Sequence, residues 1–139
     1  MRYWDSSALV TLFVDQMHST KYLELYEQDS QVVTAWHAVP ECASAFCRLQ
    51  REGHVSGQEL SQLLVDLEAQ SRQWFILSSG KRLEQLTLRA LRVHPLRAMD
   101  AIHLAAAILA RGDEIVPMAF YSEDARLAEA AAKEGFYPI

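Results

Sequence analysis

The chain has 139 residues, half of them apolar, and a formal net charge of −5 from 13 basic and 18 acidic side chains. That length and apolar share suit one domain with a proper core, and the acidic balance argues against binding nucleic acid through a broadly basic surface. No apolar run reaches the ~18 residues of a membrane span, and "MRYWDSSALV" lacks the basic, apolar and small-residue segments of a signal peptide, so the expectation is a soluble cytoplasmic protein. Cys42 and Cys47, the two cysteines, do not form a C-x-x-C pair, and reduced thiols in or near the core are expected. The histidines His18, His37, His54, His94 and His103 show no paired metal-ligand spacing along the chain.

In chain order, "RYW" reads as a first strand that stops at Asp5-Ser6-Ser7, which can cap a helix beginning "ALVTLFV". Residues 19–28 form a second short helix, with Ser19 or Thr20 as cap. "QVVTAW", 31–36, is β-branched and reads as a strand. A helix follows from about Val39 to Glu52, with Pro40 suited to its first position and Gly53 as its stop. Ser56-Gly57-Gln58-Glu59 is a capping box before a helix with Leu60, Leu63, Leu64 and Leu67 on one stripe. "WFIL", 74–77, reads as a short buried strand. Ser78 or Ser79 then caps a helix that turns Leu83, Leu86 and Leu91 inward. His94-Pro95 ends it, and the apolar helix containing "LRAMDAIHLAAA" runs to Arg111-Gly112. "IVPMAFY", 115–121, is a strand, with Pro117 favouring its beginning or an edge. Ser122-Glu123-Asp124 caps a last helix, and "FYPI" can add a final strand. Strands alternating with helices predict an α/β fold with a mostly parallel sheet and helices on both faces. With no repeat, linker or low-complexity segment, residues 1–139 read as a single domain.

Four acids stand where such a sheet builds its sites, outside the carboxyl ends of the strands. Asp5 follows the first strand, Asp124 follows the 115–121 strand, Glu41 lies in the first turn after the second strand, and Asp100 lies near the start of its helix. Asp5 and Asp124 could equally be plain helix caps, Glu41 a surface acid and Asp100 a partner of Arg97. Asp100 is the hardest to dismiss, because a carboxylate on so apolar a helix needs a proton, a partner or a cation. If the four converge, carboxylates ~4 Å apart repel by roughly 4 kcal/mol per pair at an effective dielectric of about 20. A divalent ion with oxygen ligands, Mg²⁺ or Mn²⁺, relieves that repulsion and serves phosphodiester hydrolysis. Setting those four acids aside leaves 14 against 13 bases, close to neutral. No nucleophile-histidine arrangement and no glycine-rich phosphate loop competes.

These stretches also resemble a family. "RYWDSSALVTLF", "TAWHAVPECASAF", "LRAMDAIHLAAA" and "FYSEDARLAEAAAKEGF" are similar, in order, to the four acidic segments of PIN domains, and most of all to the VapC-type toxins of prokaryotic toxin–antitoxin pairs. The resemblance implies a PIN-like fold and a Mg²⁺- or Mn²⁺-dependent endoribonuclease. Asp5, Glu41, Asp100 and Asp124 would be its acidic quartet and metal ligands, with Glu123 the alternative to Asp124. It further implies products with a 5′-phosphate and a 3′-hydroxyl, a homodimer, and a small antitoxin whose tail occupies the cleft. Ser6, Ser7 and Ser122 match supporting hydroxyl positions that also serve as caps. His103 matches a common family residue and reads better as a packed, hydrogen-bonded histidine than as a general base. Pro40, directly before Glu41, departs from the family pattern.

The mechanism expected is in-line attack of Mg-activated water on an RNA phosphodiester, with Asp5, Asp100 and Asp124 holding the metal and Glu41 orienting the water or completing the shell. Arg48, Arg51, Arg97 and Arg126 are candidates to grip RNA, or ordinary solvated surface. Rival readings are a non-catalytic acidic cleft for a basic partner tail, and a metal-dependent phosphatase or DNA nuclease on the same scaffold. The amphipathic pair 39–71 could offer a groove to a partner helix, though its leucines read better as core. Trp4, Trp36 and Trp74, each in a predicted strand, read as packed rather than as base-stacking platforms.

Overall fold

Short strands at the middle of the chain's α/β alternation set the frame. A computed structural model describes residues 1–113 and 117–139. Arg2–Trp4 forms β1, Val32–Ala35 β2, Phe75–Leu77 β3, Ala119–Tyr121 β4 and Tyr137–Pro138 β5. All neighbours pair in parallel in the order β3-β2-β1-β4-β5. The helices are α1 (Ser6–Val10), α2 (Ser19–Gln28), α3 (Ala38–Arg51), α4 (Gly57–Ser71), α5 (Lys81–Val93), α6 (Ala98–Arg111) and α7 (Ala125–Lys133).

Side chains alternate across the sheet with a period of two. Tyr3, Val33 and Phe120 point into one apolar cluster with α5, α6 and α7. Trp4, Val32 and Tyr121 point into the other, with α1 to α4. The helix α6 is buried along Ala101 and from His103 to Ala107, which is why its sequence is apolar on nearly every side. It ends at Gly112, whose φ of 60° lies in the left-handed region that favours glycine.

Several elements differ from their sequence expectation. The first helix is shorter than the run "ALVTLFV" suggests: it ends at Val10, because Thr11, Leu12 and Phe13 tighten into turns whose N–H groups bond three residues back. His18, not Ser19 or Thr20, is the cap position of α2; Ser19 Oγ donates to Val14 O and accepts from Gln16 N, so it closes the preceding loop. Pro40 is the third residue of α3 rather than the first, still within the turn whose N–H groups have no helical partner. Of the leucine stripe on α4, Leu67 alone is buried and Leu64 is exposed; α4 packs chiefly on α3, and Leu60, Leu63 and Leu67 join the core cluster of Trp4 and Val32. β3 is an edge strand, and Phe75 is 63 % exposed. Gly80, not Ser78 or Ser79, precedes α5. Leu91 is exposed, since the inward stripe runs Leu83, Leu86, Ala90 and the next residue turns about 100° away. β2 stops at Ala35, leaving Trp36 outside the sheet and 44 % exposed, unlike Trp4 and Trp74. β4 begins at Ala119, after Pro117; Ile115 and Val116 of the expected strand lie outside the described residues. The capping box at Ser56 and Glu59 is present in both directions, at 3.1 Å and 2.6 Å.

Candidate active site

The chain builds β1, β2 and β3 outward in one direction and then returns to place β4 on the other side of β1. This reversal is the switch point at which open α/β sheets leave a crevice outside their carboxyl ends. Asp5 and the 122–124 segment flank it. Asp5 N donates to Tyr121 O at 3.0 Å, continuing the ladder one residue beyond the strands. The Asp5 carboxylate caps α1: Oδ1 accepts from Ala8 N at 3.0 Å and from Ser7 Oγ at 2.7 Å, and Oδ2 accepts from Ser122 Oγ at 2.7 Å. Ser122 Oγ in turn accepts from Asp124 N at 3.0 Å, and Asp124 Oδ1 caps α7 through Leu127 N at 2.9 Å. Capping and site-building are therefore the same bonds at both acids. Glu123 takes a separate path: its N donates to Ser7 Oγ at 2.8 Å, while its carboxylate pairs with His18 Nδ1 at 2.6 Å.

Asp100 sits in the first turn of α6, and no ion pair joins it to Arg97 among the described residues. It shares a cavity of about 360 Å³ with Arg97, Asp124 and Arg126. Burial first, then the charge of Asp124, raises its pKa; Asp5 and Glu41 add to the rise, and His103 opposes it. Asp5, 3 % exposed, is also pushed up by burial, against the pull of His103 and of its hydrogen bonds from Ala8, Ser7 and Ser122. Both carboxylates thus stand in a field that disfavours their ionised form. Glu41 behaves differently. Burial pushes its pKa up, but the His103 hydrogen bond and charge, Ser6 and His37 outweigh that and leave it lowered.

Glu41 Oε2 meets His103 Nε2 at 2.8 Å, and His103 Nδ1 meets the hydroxyl of the fully buried Tyr3 at 2.9 Å. His37, one helical turn before Glu41, lies 3.6 Å from the same oxygen and donates through Nε2 to Met99 O at 3.2 Å. Its Nδ1 is buried without a partner among the described residues. Burial first, then the nearby His103, holds His37 down to about 4, so it is neutral at pH 7. Ligand atoms of His37, Glu41 and His103 come within 4.8 Å of one another. The histidines have no ligand spacing along the chain, yet the fold brings two of them to Glu41: His37 and His103 are 66 positions apart, beyond the reach of any spacing rule. Three of their four ring nitrogens are engaged, with Met99, Tyr3 and Glu41, and the fourth, His37 Nδ1, is buried, so the oxygen-only set of Asp5, Asp100 and Asp124 fits a hard divalent cation better.

Ser6, Ser7, Glu41 and Arg48 line a second cavity, about 290 Å³. Arg97 and Arg126 line the first, and Arg51 lines neither. Reasoning from the sequence missed Tyr3 and His37. The i, i+4 spacing from His37 to Glu41 is a visible signal for the second; nothing local marks Tyr3. A further groove of about 350 Å³ lies among Leu12, Phe13, Leu23, Tyr26 and Trp74, with Asp66, Ala69 and Gln70 of α4.

Residues 2–133 match the family model described as PIN domain. The chain belongs to the PIN domain family. PIN domains are generally metal-dependent nucleases, which agrees with a cleft built from carboxylates. Among solved structures, the chain is similar to PAE2754 from Pyrobaculum aerophilum, with 18 % identity, a TM-score of 0.69, and coverage of 99 % of this chain and 83 % of that one. It is also similar to a toxin–antitoxin complex from Klebsiella pneumoniae, with 16 % identity, a TM-score of 0.59, and coverage of 89 % and 87 %. At these identities the likeness shows a shared PIN fold. No match was found among curated proteins. Among the described residues, no helix is long and apolar enough to cross a membrane.

Proposed function

We propose that this PIN domain is a metal-dependent endoribonuclease acting as the toxin of a toxin–antitoxin pair. The observation that carries the reading is the gathering at one switch point of Asp5, Asp100 and Asp124, with Asp5 and Asp100 raised by burial and Asp100 also by its acidic neighbours. Such a set is stabilised by a divalent cation, and Mg²⁺ or Mn²⁺ suits oxygen ligands. Asp5, Asp100 and Asp124 would hold the ion, with Glu41 completing the shell or orienting water. When bound, the ion supplies polarisation of the phosphoryl oxygen and acidifies water. The chain's own groups do the rest. Ser122 and Ser7 fix both oxygens of Asp5 so that its carboxylate cannot rotate. Arg97 and Arg126 on one side, and Arg48 on the other, stand where the phosphates of a strand crossing the acids would pass. Of the four arginines, Arg51 is the least suited, since it lines neither cavity.

An antitoxin is the partner we propose, supported by the shared fold with a toxin–antitoxin complex. The groove of mixed polarity at Phe13, Tyr26 and Trp74, with Asp66 and Gln70 on its rim, would give its chain a seat outside the acidic cleft. A homodimer is proposed from the family resemblance.

The test is incubation of the purified chain with structured RNAs, with Mg²⁺, with Mn²⁺ and with EDTA, beside an Asp100→Asn variant. Metal-dependent cleavage, lost in EDTA and in the variant, is the expected result. Cleavage surviving either condition refutes the reading. A calorimetric Mg²⁺ titration separates it from a purely peptide-binding cleft, which requires no metal.

A further inference from the structure

Asp5 and Asp124 are held by the helix N-termini they cap, but Glu41 has no backbone donor among the described residues. Its short hydrogen bond is from His103 Nε2 on α6, at 2.8 Å, with Ser6 and His37 as weaker neighbours. A carboxylate only accepts hydrogen bonds, so this nitrogen carries the proton. The other ring nitrogen faces the Tyr3 hydroxyl at 2.9 Å. A half-turn of the imidazole would set carbon atoms against both partners, so the two bonds together lock the ring. Tyr3 cannot give way. It lies on β1, the central strand, paired on both sides, fully buried, with its ring stacked on Phe120 at 5.0 Å. The His37 ring, 4.3 Å from that of His103, covers a further side of the imidazole. Orientation therefore passes from the rigid centre of the sheet, through two side chains, to one oxygen of a half-buried acid on a different element. With Oε2 engaged, Oε1 is the oxygen left for the cavity that Glu41 shares with Ser6, Ser7 and Arg48.

We propose that Tyr3 and His103 are positioning residues for Glu41: the Tyr3–His103 pair presents the carboxylate to the cleft in one orientation and touches no substrate itself. The inference rests on the nuclease reading of the same site. It assigns to Tyr3, a residue that looks like plain core, a part in activity. Positioning partners of this kind typically change activity or metal affinity by about 10–100-fold when removed.

The test uses the full chain with His103→Ala, His103→Gln and Tyr3→Phe, each checked for folding by circular dichroism. Steady-state cleavage is measured at saturating Mg²⁺, with and without added imidazole. His103→Ala is expected to lower kcat about 10–100-fold with the KM for RNA unchanged. Imidazole, or the amide N–H of His103→Gln, should recover part of the loss. Tyr3→Phe, which keeps the stacking on Phe120, should show a smaller fall in kcat. A folded His103→Ala with wild-type kcat overturns the proposal, as does a loss that neither imidazole nor glutamine restores. If His103→Ala does not fold, Tyr3→Phe and His103→Gln decide, and wild-type kcat in both overturns it. A metal-independent measurement separates this from the nuclease reading. Nitrogen-15 NMR should show a solvent-protected His103 Nε2–H that is lost in Glu41→Ala. If the wild type cleaves no RNA but this signal is present, the nuclease reading fails and the positioning geometry stands; if the signal is absent, the positioning proposal fails.

Discussion

Asp100 is a carboxylate kept at a cost. An acid whose pKa is raised in the fold binds its proton more tightly there than in the unfolded chain, so its contribution to stability declines as pH rises through the unfolded value toward the folded one. At neutral pH, Asp5 and Asp100 therefore weaken the metal-free protein. Asp100→Asn should raise the metal-free melting temperature at pH 7.5 while abolishing Mg²⁺-dependent cleavage, and a thermal melt beside an RNA assay checks both. His37 acts with the opposite sign. Its pKa falls from 6.5 to about 4 on folding, so below about pH 6.5 the unfolded chain takes up a proton that the folded one refuses. Stability from this group is fully present above pH 6.5 and is lost as pH drops toward 4. His37→Gln should flatten that part of the profile, read from urea midpoints at pH 7.5, 6 and 4.5 relative to wild type. Asp5, Glu41, Asp100 and Asp124 stood out in the sequence as candidates because they fall at strand ends and on an apolar helix, although Asp5 and Asp124 also serve as the helix caps that any such acid could be. Tyr3 did not, because an aromatic in a short strand already has an ordinary explanation.

Among the elements, the helices were legible from their stripes and the strands from their branched and aromatic residues. Boundaries and caps were less so. A serine before a helix can cap it or close the loop behind it, and Ser19 does the latter. Ser56 differs because Glu59 answers it, and the reciprocal pair is a signal that a lone serine lacks. Ser56→Ala should cost about 1 kcal/mol by urea denaturation without affecting cleavage, since no residue of α4 lines either cavity at the acids. The capping acids behave otherwise. Asp124→Asn keeps an acceptor for Leu127 N but removes a charge from the cleft. Its stability should stay within about 0.5 kcal/mol of wild type while Mg²⁺ affinity falls, which calorimetry on the folded variant measures.

At the scale of the molecule, five parallel strands ordered β3-β2-β1-β4-β5 put the reversal beside β1, and that reversal brings residues 5, 100 and 124 to one crevice. A divalent ion that binds this crevice only in the folded chain must stabilise it, by about 2.7 kcal/mol at a hundredfold excess over the dissociation constant. Melting curves at pH 7.5 should rise with Mg²⁺ and lose that rise in Asp5→Asn. An unchanged melting temperature at millimolar Mg²⁺ would contradict the metal site.

The sequence by itself determined the alternation of strands and helices, the four acids as candidates and the PIN resemblance, because these depend on local periodicity and on residue type. The tertiary structure alone decided that His37 and His103 meet at Glu41, that Tyr3 backs His103, and that Trp36 stays in solvent while Trp4 is sealed away. Local periods report which face of an element is apolar. They carry no information on which faces, 60 to 100 residues apart, are brought together, and that depends on the order in which the strands join the sheet.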